Sequence, residues 1–124
     1  MKNTEWAKFL EYVQHTAPCP VCIVPEDKIR RMYFTLYGEG YENNIPVNGM
    51  ILLRKHEPSV IYLANHLKEE SLGFALFTYF HEKTHYSTKK LIWAVRNWKT
   101  GNILCEYIAD LGARICMRRI MGVN

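Results

Sequence analysis

What this sequence lacks narrows the reading before any motif is considered. No apolar run approaches the roughly 20 residues that a membrane span requires. The longest, Leu72 to Phe80, reaches about half of that length. The opening segment carries Glu5, Lys8, Glu11, Glu26 and Asp27 and has no apolar stretch of signal-peptide length. Neither a membrane nor export is expected, and the chain reads as cytoplasmic, a host cell's cytoplasm being among the candidates. No repeat, low-complexity tract or linker interrupts the 124 residues, so a single domain over 1–124 is expected. Dense Lys/Arg blocks are also missing. The net charge is +4 and the isoelectric point about 8.9, with the excess falling late, from Lys83 to Arg119. A solvated face accounts for those charges, and an acidic partner or nucleic acid is the alternative. Only 4 cysteines occur, and in a chain without export signals they are read as thiols or ligands rather than disulfides.

What is present is a globular composition, 48% hydrophobic and 23% charged, which excludes disorder. A chain of this length buries roughly two-thirds of its unfolded surface and needs no staple to fold. Trp6, Phe9, Leu10 and Val13 recur at helical spacing behind Asn3-Thr4, a candidate N-cap, and Pro18 bars continuation. A first helix is therefore expected over Glu5–His15. Ile29 to Tyr37 is ambiguous, with strand-forming residues behind charges that suit a helix start. Gly38-Glu39-Gly40 and Glu42-Asn43-Asn44 are turn material. Met50–Arg54 and Val60–Ala64, joined by His56-Glu57-Pro58-Ser59, read as a β-hairpin. Glu69–Lys90 reads as one helix. After a break at Thr100-Gly101-Asn102, Ile103–Met121 reads as a second, apolar on nearly every side and therefore expected to be buried. The expected fold class is α+β, a small antiparallel sheet packed against helices.

The chemistry is concentrated in His81-Glu82-Lys83-Thr84-His85. Histidines at i and i+4 lie about 40° apart around a helix, so both imidazoles can reach one Zn²⁺. Glu82 projects to the flank of that face, where it can take a proton from water activated by the metal. A catalytic zinc needs a third protein ligand, and the second helix offers Glu106. Ala109 and Ala113 share its face and allow a close approach of the two helices. Asp110, one turn on, is placed to accept the remaining ring N–H of a ligand histidine.

Tyr79-Phe80-His81-Glu82-Lys83-Thr84-His85, followed on the next long helix by Glu106-Tyr107-Ile108-Ala109-Asp110-Leu111-Gly112-Ala113, resembles the zincin core of two related groups. These are the ImmA/IrrE metallopeptidases and the metallopeptidase domain of ArdC-type antirestriction and phage polyvalent proteins. The resemblance covers about residues 49–123. It implies a minimal zincin-like domain of gluzincin type, with one Zn²⁺ on His81, His85 and Glu106 and Glu82 activating the water. It further implies that Val60–Ala64 is an edge strand that pairs with an extended peptide. His66, Tyr86 and Tyr107 are the candidates for stabilising the transition state. Lys83 and Ser87 depart from the longer zincin pattern, which has an uncharged and an apolar residue there.

Other constellations are less productive. Cys19-Pro20-Val21-Cys22 has a helix rather than a strand before it, unlike a dithiol redox motif, and reads as a stiffened turn. A zinc knuckle would need His15 or His56, because Cys105 and Cys116 lie too far apart along one helix to share an ion with it. Arg114 and Arg118 are expected to rim the site, and Trp93 and Trp98 to bracket Arg96 in the loop between the motif helices. The first functional expectation is a zinc metallopeptidase acting on a protein or peptide substrate in a bacterial or phage-infected cell. The alternative is a non-proteolytic, zinc-bearing antirestriction or anti-defence factor, engaging a host defence or regulatory protein, or nucleic acid.

Overall fold

The computed structural model describes residues 1–37, 47–54, 56–98 and 100–122. Among these the chain is α+β, with five α-helices and a three-stranded sheet. Helix α1 spans Asn3–Thr16 and buries Phe9 and Val13. It starts ahead of the expected Asn3-Thr4 cap: Lys2 occupies the cap position, and its N–H donates to Glu5 at 3.0 Å. Extended backbone at Ala17, imposed by Pro18, ends it. Strand β1 follows at Val21–Val24, and helix α2 occupies Glu26–Tyr37. The ambiguity over this second segment is settled by charge at helical spacing. Glu26–Arg30 and Asp27–Arg31 pair across one turn at 2.7 and 3.0 Å, and such pairs support a helix and nothing in a strand. The turn segments at Gly38-Glu39-Gly40 and Glu42-Asn43-Asn44 lie outside the described residues.

Strands β2 (Gly49–Leu52) and β3 (Val60–Ala64) form the expected antiparallel pair. β1, however, lies parallel to β3 on its other side, with Val21 opposite Ile61 and Val24 opposite Ala64. The sheet is therefore mixed rather than antiparallel, in the order β1-β3-β2. Val60–Ala64 is its central strand and not an edge; a four-residue strand just after the Cys-Pro turn was not visible in the pattern. Alternation along the strands divides the core in two. Ile61 and Leu63 face α1 and the helix described next, whereas Met50 and Ala64 join Val24 and Ile29 beneath α2.

The expected Glu69–Lys90 helix is divided. A 3₁₀ turn covers Asn65–Glu69, and Ser71 then caps α3 (Leu72–Ser87) by accepting the Phe74 N–H at 3.1 Å. Tyr79 and Phe80 of α3 fill the centre of the core. Near its end, the hydroxyls of Thr84, Ser87 and Thr88 each donate to the carbonyl four residues back. Hydroxyls used this way compete with the backbone ladder, and Thr88 leaves helical geometry at φ −107°, ψ 19°. The segment carrying Trp93 is thus not a loop but a short helix, α4 (Lys89–Val95). Helix α5 (Gly101–Met121) ends at Gly122, whose φ of 69° only glycine adopts without strain.

Helix α5 is not the buried helix that its composition implied. Ala109 and Ala113 are buried against α3, but Ile103, Tyr107 and Leu111 stand in solvent. No element among the described residues covers these outer side chains of α5. No helix among the described residues is long and apolar enough to cross a membrane.

Candidate metal centre

The site is made where α3 and α5 cross at close range. A Cβ on Gly112 would lie 2.5 Å from Thr84 Oγ1 and 2.6 Å from its Cγ2. Hydrogen alone fits there, and Ala109 and Ala113 continue the small-residue contact. This proximity brings Glu106 of α5 to the histidines of α3. His81 Nε2 lies 2.9 Å from Glu106 Oε2, and His85 Nε2 donates to Glu106 Oε1 at 3.1 Å. The imidazoles stand nearly perpendicular, 83° between planes with centroids 4.8 Å apart. One donor atom from each of His81, His85 and Glu106 falls within 4.8 Å of the others, an arrangement that can hold a metal ion. Among the described residues it is the one group of three or more such side chains, so the knuckle completed by His15 or His56 does not assemble there.

Asp110 stands where the spacing placed it. His81 Nδ1–H donates to Asp110 Oδ1 at 2.8 Å, which fixes the ring orientation and leaves Nε2 as the atom facing Glu106. Burial alone would lower the pKa of His81. The hydrogen bond to Glu106, the charges of Glu82 and Glu106 and the hydrogen bond to Asp110 outweigh it and raise the group to about 9. Partial desolvation pushes Glu106 up, but hydrogen bonds from His81 and His85 hold it at about 2. The cluster is therefore a charged network, with 59% of the Glu106 side chain open to solvent and only 10% of that of His85.

Glu82 differs from both. It is buried, lines the same cleft as the histidines, and forms no hydrogen bond or ion pair among the described residues. Burial pushes its carboxyl up to about 7, against the pull of His85 and His81. A carboxyl held between its two protonation states at neutral pH is suited to moving protons. Lys83, the charged departure from the zincin pattern, turns away, its ammonium 5.8 Å from the Tyr79 ring centre. Ser87, the second departure, is exposed at the end of α3.

The cleft has a volume of about 910 Å³ and reaches round β2 from Glu106 to Tyr33 of α2. Three expected participants are not in its wall. His66 is occupied elsewhere: Nε2 meets Asn48 Oδ1 at 2.8 Å and Nδ1 lies 3.6 Å from Glu26. Tyr86 lies under the Lys89 ammonium, 4.5 Å from its ring centre, and Tyr107 points outward from α5. Arg114 and Arg118 are exposed and do not rim the cleft. Sequence reasoning missed Tyr33 and Asn48, which line it together with Arg96. The signal available for Tyr33 was the ion-paired helix pattern of α2, which would have set that residue on a helix rather than a strand. Cys22 sits in β1 and Cys19 just before it, both free thiols, without the helix start that redox chemistry needs.

Compared with protein-family models, curated protein sequences and solved structures, the chain matches none of them.

Proposed function

We propose that this protein is a zinc metallopeptidase of gluzincin type, related to the ImmA/IrrE and ArdC-type groups that its motifs resemble. The observation that carries the reading is the convergence of His81, His85 and Glu106 from two helices, with Asp110 behind His81 and unpaired Glu82 alongside. Two imidazoles and one carboxylate are the donor set of catalytic zinc sites such as His₂Glu, so the residues fit the ion. Bound there, zinc would supply Lewis acidity toward a peptide carbonyl and acidify water.

The chain's own residues perform the rest. His81, His85 and Glu106 hold the ion, and Asp110 keeps His81 in the required tautomer. Glu82 takes a proton from the attacking water and returns it to the leaving amine. The substrate lies extended along β2, which among the described residues pairs only with β3 and turns its other edge toward the cleft. This replaces the role expected of Val60–Ala64. The site of action remains a cytoplasm, in a bacterium or its phage.

A second reading, a zinc-bearing antirestriction or anti-defence protein that binds without cleaving, is favoured by one observation: the bare apolar face of α5. Glu82→Ala separates the two. For a peptidase, the zinc-loaded wild type cleaves members of a peptide library, and Glu82→Ala binds zinc equally but cleaves none. A zinc-loaded wild type that leaves the whole library intact supports the binding protein.

A further inference from the structure

We infer that the outer face of α5 is a docking surface for an amphipathic helix of a partner protein, one whose apolar stripe is flanked by aspartates and glutamates. Ile103, Tyr107, Leu111 and Ile115 recur every four residues along α5 and stand 71%, 67%, 45% and 45% exposed. At about 100° per residue they sweep an arc of about 120° over roughly 18 Å of helix. Spacing of this kind is how one helix anchors another. A contiguous apolar stripe of that length on a small protein marks an interaction site more often than chance exposure.

Charge selects the occupant. Arg114 and Arg118 are exposed, and neither has an ion pair or hydrogen bond among the described residues. By the same helical arithmetic they sit about 20° and 60° round from Ile103, and because the apolar row has drifted on past Leu111 at their height, they lie about 90° to one side of it, along its margin. A helix lying in a membrane keeps its cations at the edges of the apolar face, where they reach the headgroups. Here Glu106 and Asp110, 59% and 49% exposed, lie along the same margin as the arginines, so seating this face in lipid would also press two carboxylates against the headgroups. A second copy of the chain fares no better. The nearest carboxylates on α5, Glu106 and Asp110, are already held by His85 and His81, so face-to-face pairing would oppose arginines without counter-charges. Nucleic acid would satisfy the arginines and leave the aliphatic side chains uncovered. A protein helix with leucine-like anchors and carboxylates beside them satisfies both groups at once.

This surface depends on neither the metal nor Glu82. Glu106 and Asp110 border the arc on the same helix, so a partner seated there lies beside the cleft.

The test uses the full chain and a fluorescent synthetic helix with a leucine stripe flanked by glutamates, alongside its lysine-flanked counterpart. The expected result is binding of the glutamate peptide about tenfold or more tighter than the lysine peptide. The double variant Arg114→Glu/Arg118→Glu is expected to reverse that preference, and Leu111→Asp to abolish binding of both. Circular dichroism and zinc uptake, unchanged in both variants, establish that each is folded. Equal affinity for the two peptides, or binding that survives Leu111→Asp, overturns the proposal. So does stronger association with phosphatidylglycerol vesicles or a DNA duplex at physiological salt, or a dimer in sedimentation that Leu111→Asp dissociates.

Discussion

Replacing Gly112 by alanine adds one methyl group where α5 meets α3, and its effects can be worked out from the contact. The new Cβ would lie 2.5–2.6 Å from two atoms of Thr84, whereas ordinary contact begins at 3.4 Å. Thr84 cannot rotate aside cheaply, since its hydroxyl donates to Phe80 O at 2.8 Å. The helices must therefore separate locally by about 1 Å, an overpacking that costs about 1–3 kcal/mol. Alanine's better helix propensity offsets about 1 kcal/mol of this. The metal-free protein should lose about 1 kcal/mol net, lowering its melting temperature by about 3–5 °C. Because Glu106 rides on the same helix, zinc affinity should also fall, by about 10–100-fold. Gly73→Ala is the control, for there the new methyl meets only Met117 Cε at 3.9 Å. It carries the propensity gain without the clash and should raise stability by up to about 1 kcal/mol. Urea unfolding of both variants without metal, followed by zinc titration calorimetry, measures these quantities. A Gly112→Ala protein as stable as Gly73→Ala would refute the close crossing on which the site depends.

Three further outcomes follow from individual contacts. Asp110→Ala should weaken zinc binding by about 10–100-fold by freeing the His81 ring, with Asp110→Asn recovering part of it in the same titration. Thr16→Val should destabilise more than Tyr79→Phe in urea unfolding. The first strands the buried Tyr79 hydroxyl, at about 1–3 kcal/mol, whereas the second removes one hydrogen bond of 2.8 Å, at about 1 kcal/mol. Glu26, whose pKa is lowered mainly by the Val47 N–H it accepts and also by Arg30 and His66, adds stability above its ordinary value of 4.5. That contribution disappears as pH falls below this value. Glu26→Gln should flatten the acid limb of a stability–pH profile, and an unchanged limb would rule out the bond to Val47.

The parts of the fold that were legible in the sequence are those with local causes. Apolar spacing with a proline stop marks α1, two short apolar runs around a turn mark the β2–β3 pair, and the His81–His85 and Glu106–Asp110 spacings place four site residues on two helices. What escaped depends on neighbours distant in sequence. β1 is four residues long and gains its identity from pairing with β3, which in turn moves β3 from the edge to the centre. The division between α3 and α4 falls where three hydroxyls within five residues bond backward, a local concentration that propensity does not register. The apolar outer face of α5 reads as core because periodicity reports amphipathicity, not which elements are present to cover it. The cleft residues Tyr33 and Arg96 come from segments with no motif of their own, so only the assembled structure brings them into the cleft that His81 lines.

The central claim, a metal held by two histidines and a glutamate, is tested most directly by zinc content. Elemental analysis of the purified wild type should be compared with His81→Ala and Glu106→Ala after identical zinc loading and dialysis. One zinc per folded wild-type chain is expected, with little or none in either variant. A well-folded wild type that retains no zinc at saturation, or variants that retain it fully, would contradict it.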